Sequence, residues 1–165
     1  MIELEGLSYA YPEVTEDALR NVSMVIQSGE AILLVGRSGS GKSTLLRVMN
    51  GLVPHFFGGR FQGQAIVAGL NTRGASPTEL SGKVGTVFQE PGYRFLTNNL
   101  IDEISFGMEL VGIPGGEIRT RVETILDRFD LSGCTERSLD RQSAGGQRRV
   151  AFGSSTQQTP RRSAA

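Results

Sequence analysis

The apolar residues in the first part of the chain follow two kinds of β pattern. Val22, Met24 and Ile26 occupy alternate positions, which predicts a strand with one buried face. Ile2–Leu4 predicts a second, shorter strand. Ala31–Val35 is a continuous apolar run that follows the turn residues 28–30. Such a run predicts a strand that is buried on both faces, as in a parallel sheet.

Four further segments carry a secondary-structure signal. Gln64–Val67 and Val84–Phe88 predict strands, the second because of its β-branched residues. Leu45–Gly51 lacks proline and ends in glycine, which predicts a helix with a C-terminal glycine stop. Gly116–Leu131 predicts an amphipathic helix, because its apolar residues recur at helical spacing. Those residues are Ile118, Val122, Ile125, Leu126 and Phe129.

Composition limits the class of protein. The chain has 165 residues and 22 glycines, well above the usual glycine content of about 7%, and the length suits one domain. The glycine excess indicates loops in which backbone approaches something closely. Seventeen Lys and Arg balance seventeen Asp and Glu, so no basic field is available to gather nucleic acid or anionic lipid. Cys134 is the only cysteine, which excludes an internal disulfide.

A glycine-rich loop joins the predicted buried strand to the predicted helix. It matches the pattern G-x-x-x-x-G-K-[ST], which is typical of phosphate-binding loops. Its glycines allow successive N–H groups to turn toward an anion, and the following helix presents its positive end. The residues are Gly36, Arg37, Ser38, Gly39, Ser40, Gly41, Lys42, Ser43 and Thr44. Lys42 would contact the β- and γ-phosphates, and the Ser43 hydroxyl would ligate Mg²⁺. The loop alone does not distinguish kinases, GTPases and transport ATPases.

Taken together with its flanking segments, the loop resembles the nucleotide-binding subunit of ABC transporters over nearly all of residues 1–152. Tyr9-Ala10-Tyr11-Pro12 and Ala18–Ser23 resemble the family's N-terminal strands. The resemblance implies that Tyr11 stacks on adenine. Residues 84–90 resemble the strand that ends in the family's Q-loop, which implies that Gln89 is catalytic, contacting Mg²⁺ and the attacking water. ATP and Mg²⁺ are the implied cofactors.

Two segments, residues 50–59 and 106–109, together with residues 91–103 between them, resemble the energy-coupling-factor branch of the family, whose members power the uptake of vitamins and metal ions. The resemblance implies a peripheral location on the cytoplasmic face of a prokaryotic membrane. It also implies two partners: an integral-membrane transporter subunit and a second ATP-binding subunit, as a homodimer or heterodimer. The apolar residues near the Q-loop either dock a membrane partner or form the core of a helical subdomain. They are Tyr93, Phe95, Leu96, Leu100, Ile101, Ile104 and Phe106.

The family's signature, Leu-Ser-Gly-Gly-Gln, has an imperfect counterpart here. The region consists of Ser143, Ala144, Gly145, Gly146 and Gln147, followed by Arg148-Arg149-Val150-Ala151. An alignment on Arg149-Val150-Ala151 places Ser143 at the signature serine. An alignment on Gly145-Gly146-Gln147 instead places Ala144 there. In either alignment an alanine methyl lies where the family binds phosphate. His55, the only histidine, is interpreted as a packing or surface residue.

The resemblance predicts an α/β fold: a P-loop nucleoside-triphosphatase sheet, an N-terminal antiparallel β part and a helical subdomain. After the signature region the sequence has no apolar strand ending in Asp-Glu, as the family would have. We therefore expect residues 1–152 to form a partial nucleotide-binding domain that lacks the C-terminal part of its core sheet and hydrolyses ATP negligibly. Residues 153–165, which lack large apolar side chains, are expected to be a disordered or aberrant tail.

Three functional hypotheses follow. The first is an ATP-binding subunit that couples ATP binding and hydrolysis to transmembrane transport of a small nutrient or metal ion. The second is a truncated, non-catalytic fragment that binds nucleotide weakly or not at all. The third is a stand-alone P-loop kinase or GTPase, although the guanine-reading tetrapeptide Asn-Lys-x-Asp is absent from the sequence.

Overall fold

The computed structural model describes residues 1–88, 95–110, 112–135, 138–139 and 143–156. The chain divides into two compact units, Met1–Lys83 and Val84–Ala165. The first combines an antiparallel sheet with short helices, and the second is helical, so the predicted α/β class with an antiparallel N-terminal part and a helical part is confirmed.

A four-stranded antiparallel sheet forms the centre of the first unit. Its strands are β1 (Ile2–Ala10), β2 (Leu19–Ile26), β3 (Arg60–Val67) and β4 (Leu70–Asn71), in the order β2-β1-β3-β4. The predicted strands at Val22–Ile26 and Gln64–Val67 are confirmed within β2 and β3.

Strand β1 extends well beyond the predicted Ile2–Leu4. Its apolar alternation changes phase at Gly6, where the pairing register with both neighbouring strands shifts. A bulge of this kind inserts one residue into a strand, so Leu4, Leu7 and Tyr9 are all buried. Because of this phase change, strict alternation of apolar and polar residues predicts only part of the strand.

Three helices complete the first unit: α1 (Lys42–Met49), α2 (Leu52–His55) and α3 (Pro77–Ser81). Helix α1 buries Leu45, Val48 and Met49 and confirms the helix predicted in this region. Helix α3 begins with a capping box, in which the Ser76 hydroxyl accepts a hydrogen bond from the Glu79 N–H and the Glu79 carboxylate accepts one from the Ser76 N–H.

Two predicted strands are wrong. Residues 31–35 and 84–88 belong to no strand of the structure, and in the first segment Leu33 is 85% exposed. A strand buried on both faces needs strands along its edges and side chains over its faces. No described residue pairs with 31–35 in a sheet, so this apolar run stays in contact with solvent.

The second unit contains α4 (Leu100–Leu110), α5 (Gly115–Arg128), a 3-10 turn at Ser132–Cys134, and α6 (Ala144–Thr156). The amphipathic helix predicted over 116–131 is confirmed, and its apolar face packs into one hydrophobic core with the other two helices. That core contains Leu100, Ile104, Met108, Ile118, Val122, Ile125, Leu126, Leu131, Leu139 and Val150.

Helix α6 continues into the segment that composition predicts to be disordered. Gly153 is buried, and a Cβ at this position would lie 2.7 Å from Cγ2 of Ile125. The absence of a side chain therefore allows α6 to approach α5 closely. The expectation of disorder is wrong for residues 153–156, and residues 157–165 lie outside the described part of the chain.

Candidate functional site

The glycine-rich loop of residues 36–44 leads directly into α1, as the sequence predicts. Gly41 is the N-cap of that helix and has a φ of 86°. A Cβ at Gly41 would clash with the carbonyl oxygen of Ala18 and lie 3.1 Å from Cδ2 of Leu19. Both the left-handed backbone and the close approach to β2 therefore require glycine where the loop becomes helix.

The Lys42 ammonium lies inside the loop. Its Nζ donates hydrogen bonds to the carbonyl oxygens of Gly36 (2.8 Å) and Arg37 (2.7 Å), and to Oγ of Ser40 (3.3 Å). Three acceptors from successive parts of the loop thus converge on one cation. This arrangement places a positive charge at the centre of the loop.

The N-terminus of α1 has the features that favour an anion. No side chain caps it, and its first turn contains no acidic residue. The first N–H groups of a helix have no intrahelical acceptor, and the helix dipole is positive at this end. Ser43 and residues 36–40 are exposed to solvent. The loop, the ammonium and the helix end therefore fit a bound phosphate group, and the exposed Ser43 hydroxyl fits a cation ligand beside it.

Tyr11 is joined to this helix by hydrogen bonds. Its hydroxyl lies 3.1 Å from Oγ1 of Thr44, the last residue of the loop motif, and it accepts a hydrogen bond of 2.8 Å from Nη1 of Arg47. Its ring makes edge contacts with Tyr9 (centroids 4.9 Å apart) and Phe57 (6.0 Å). The structure therefore brings the predicted base-stacking residue and the phosphate loop together.

Arg47 and Phe57 belong to this cluster, and the sequence reasoning missed them. The guanidinium of Arg47 lies over the Phe57 ring, 4.8 Å from its centroid. Arg47 follows Thr44 by three positions, the spacing at which helical side chains share a face. That spacing alone predicts that Arg47 shares a helix face with Thr44. No pattern in the sequence indicates that Phe57 approaches Tyr11.

The signature region forms the start of α6. The Ser143 hydroxyl accepts a hydrogen bond of 3.1 Å from the Gly146 N–H, so Ser143 acts as the N-cap of the helix. Ala144 and Gly145 occupy the exposed first turn. Nε2 of Gln147 donates a hydrogen bond of 3.2 Å to the Leu139 carbonyl. Of the two alignments, the one that places Ser143 at the signature serine agrees with a serine at a helix N-terminus.

Two other residues considered in the sequence have different outcomes. Gln89, the predicted Q-loop glutamine, lies outside the described residues. His55 is exposed, and its Nε2 lies 2.9 Å from the carbonyl oxygen of Thr72.

In the described ranges, no three His, Cys, Asp or Glu side chains gather closely enough to hold a metal ion. Across the same ranges, no helix has the length and apolar character needed to cross a membrane.

Comparison with known proteins identifies related sequences. The family model described as ABC transporter matches residues 19–161. An ABC transporter ATP-binding protein of Streptomyces coelicolor is 46% identical over 93% of this chain, and the match covers 27% of that protein. The chain therefore spans about a quarter of the length of this relative.

Two solved structures are similar to this chain in fold. CbiO1 of Clostridium perfringens, described as part of the ABC transporter complex CbiONQ, is 28% identical with a TM-score of 0.80; the match covers 93% of this chain and 59% of that one. The ATP-binding cassette MJ0796, in a dimeric post-hydrolysis state with ADP and phosphate, is 25% identical with a TM-score of 0.74, over 94% of this chain and 68% of that one.

Proposed function

The chain belongs to the ABC transporter family, and on that premise we propose that it forms the ATP-binding part of a subunit that couples ATP binding and hydrolysis to transmembrane transport. The observation that carries the proposal is the loop of residues 36–44, which holds the Lys42 ammonium at the uncapped, positive end of α1. The cargo is a small nutrient or a metal ion. This choice rests on the likeness to CbiO1 and on the energy-coupling-factor pattern in the sequence.

Binding at this site uses groups of the chain itself. Lys42 would exchange its bonds to the Gly36 and Arg37 carbonyls for phosphate oxygens, while the N–H groups at the start of α1 donate to the same anion. Ser43 would hold Mg²⁺ together with Gln89. When bound, Mg²⁺ neutralises charge on the β- and γ-phosphates. Tyr11 would present its ring face to adenine, a contact that contributes about 1 kcal/mol beyond area burial.

A second phosphate contact is proposed at the start of α6. The Ser143 hydroxyl and the N–H groups of Ala144 and Gly145 would bind the γ-phosphate held by a second ATP-binding subunit. Support comes from the serine cap at this helix end and from the dimeric state of MJ0796. The exposed Ala144 methyl adds bulk at this position, so we expect the contact to be weaker than one made by glycine.

The proposed membrane partner docks on the second unit, and the chain lies at the cytoplasmic face of the membrane. Of the apolar residues named for this role, Leu100 and Ile104 are buried in the helical core, whereas Leu96 and Ile101 are 71% and 41% exposed. The set therefore divides into core residues and exposed residues. This exposed pair, Leu96 just before α4 and Ile101 in its first turn, is the part that we propose contacts the integral-membrane subunit.

Titration with Mg-ATP tests nucleotide binding directly. The chain contains two lysines, Lys42 and Lys83, which gives a matched pair of variants. We expect Lys42→Ala to weaken binding at least about tenfold, since a hydrogen-bonded ion contact contributes roughly 1.5–3 kcal/mol. Lys83→Ala removes the same charge from an exposed turn and should leave the affinity unchanged.

Two results would contradict the proposal. The first is that wild-type protein gives no heat with Mg-ATP at millimolar concentration. The second is that both lysine variants titrate like the wild type, which would mean that any binding occurs away from the loop.

A further inference from the structure

The hydroxyl of Tyr11 lies between two side chains of α1. It is 2.8 Å from Nη1 of Arg47 and 3.1 Å from Oγ1 of Thr44. A guanidinium has donors only and no acceptor, so Arg47 must donate to the tyrosine oxygen. Between the Tyr11 hydroxyl and Oγ1 of Thr44, either oxygen can be the donor. The Tyr11 hydroxyl therefore joins Arg47 and Thr44 in one hydrogen-bonded cluster.

Arg47 is itself held in place. Its guanidinium lies 4.8 Å from the centroid of the Phe57 ring, within the range of a cation–π contact. Phe57 also makes an edge contact with the Tyr11 ring, with an angle of 85° between the planes. Arg47 therefore contacts Tyr11 at its hydroxyl and contacts the aromatic neighbour of Tyr11 at the same time. Together these contacts restrict the rotation of the Tyr11 ring.

The same helix carries the phosphate loop. Thr44 is the last residue of the loop motif and is buried, and Lys42 lies two positions before it at the start of α1. A ring tied to Thr44 and Arg47 is consequently held at a fixed distance from the loop. A ligand that must contact both the ring and the loop gains affinity when the two are already in register, since less order must be imposed on binding.

We propose that Arg47 is a positioning residue for nucleotide binding: it holds the Tyr11 ring in register with the phosphate loop through the Tyr11 hydroxyl and the Phe57 ring. The inference rests on the proposed function, because it takes Tyr11 as the surface for the base. In this proposal Arg47 does not contact the phosphates. Arg47 should therefore affect the binding of ligands that have a base, and it should not affect the binding of inorganic polyphosphates.

The test compares two ligands on one protein, Mg-ATP and inorganic tripolyphosphate with Mg²⁺. Arg47→Met keeps much of the length of the side chain and removes its donors and charge. We expect it to weaken ATP binding about fivefold, which corresponds to the net contribution of one ordinary hydrogen bond, and to leave tripolyphosphate binding unchanged within about twofold. The ratio of the two affinities is measured in the same sample, so a partly unfolded fraction cancels.

Three further variants separate positioning from a general effect. Arg60→Met removes an arginine of the same unit that pairs with Asp17 instead of Tyr11, and it should leave the ratio at the wild-type value. Arg47→Lys keeps a donor and should recover part of the ratio. In a Tyr11→Phe background, which lacks the shared hydroxyl, Arg47→Met should change the ratio less than about twofold, because coupled residues are not additive.

The outcomes divide cleanly. If Arg47→Met weakens both ligands equally, or if its effect is fully additive with Tyr11→Phe, Arg47 acts on phosphate or on general stability and the inference is wrong. If Tyr11→Ala leaves the ratio unchanged, the proposed role of Tyr11 as the base surface fails first. If the wild-type protein binds neither ligand, the proposed function itself fails and the inference with it.

Discussion

Strand β1 and the segment 31–35 are both apolar parts of the first unit, and only β1 is buried. Leu7 in β1 has no exposed surface, whereas Leu33 is 85% exposed. Strand β1 lies between β2 and β3 and pairs with both, while the described residues offer the segment 31–35 no pairing strand. Apolar content thus determines how much free energy a strand gains from burial. Neighbouring strands determine whether burial occurs.

The largest expected difference between the two regions is the cost of truncating a leucine. Leu7→Ala should lower the free energy of unfolding by about 3 kcal/mol, because it removes buried methyl groups and leaves a cavity. Leu33→Ala should change it by less than about 0.5 kcal/mol, as for other exposed substitutions. Urea unfolding of the two variants beside the wild type measures both values. Equal losses would mean that Leu33 is buried in solution and would remove the distinction.

A pair of glycines on either side of the segment gives the next largest effect. Gly29 and Gly41 share a φ of 86°, but a Cβ at Gly29 would meet nothing within 4 Å, whereas one at Gly41 would clash with the Ala18 carbonyl. Gly29→Ala should therefore cost only the backbone strain of about 1 kcal/mol. Gly41→Ala should cost about 2 kcal/mol or more, because the clash with the Ala18 carbonyl is added. Thermal unfolding compares the two variants, and equal costs would show that Gly41 does not lie against Ala18.

The smallest effect concerns the pH dependence of stability that arises from Tyr9 in β1. Burial raises the pKa of Tyr9, with a further contribution from Tyr11, while Arg47 acts in the opposite direction. Because folding raises this pKa, the protonated phenol stabilises the folded state. This stabilisation is fully present below the unfolded-state pKa of about 10, and it is lost as the pH rises through the folded-state pKa. The free energy of unfolding should therefore fall as the pH is raised beyond about 10.

Tyr9→Phe should reduce this alkaline slope, at the cost of the hydrogen bond from the Tyr9 hydroxyl to the Gly58 carbonyl (2.8 Å). Leu33→Ala supplies the control, since an exposed leucine has no proton to lose and should keep the wild-type slope. Urea unfolding between about pH 9 and 11, a range that spans the usual tyrosine pKa, checks both variants. An unchanged slope in Tyr9→Phe would assign the alkaline loss to another group.

The sequence predicts those elements whose partners are local or whose buried face is visible in the pattern. Helix α5 is an example, because Ile118, Val122 and Ile125 mark one face, and all three are buried. The segment 31–35 is the opposite case, since a continuous apolar run says nothing about which strands will pair with it. The contact of Tyr11 with Arg47 was also not predictable, because it joins positions 36 residues apart that only the folded chain brings together.

The candidate site divides in the same way. The loop of residues 36–44 is recognisable because its chemistry is contained in one continuous stretch, with Gly41 and Lys42 at fixed positions. The Ser143 cap favours one of the two alignments that the sequence leaves open, because only the folded chain shows where α6 begins. Gly153 is a comparable case, since its packing against α5 gives no signal in the local sequence.

The exposed segment 31–35 also has a consequence for the behaviour of the protein at high concentration. It is uncharged and proline-free, and it is rich in branched aliphatic residues, a combination that promotes intermolecular β-aggregation when it is accessible. Glu30 and Arg37 place one charge near each end of it, and charges in such flanking positions act as gatekeepers against self-association. We therefore expect Glu30 and Arg37 to limit self-association through this segment, and we expect higher ionic strength to weaken the protection that they give.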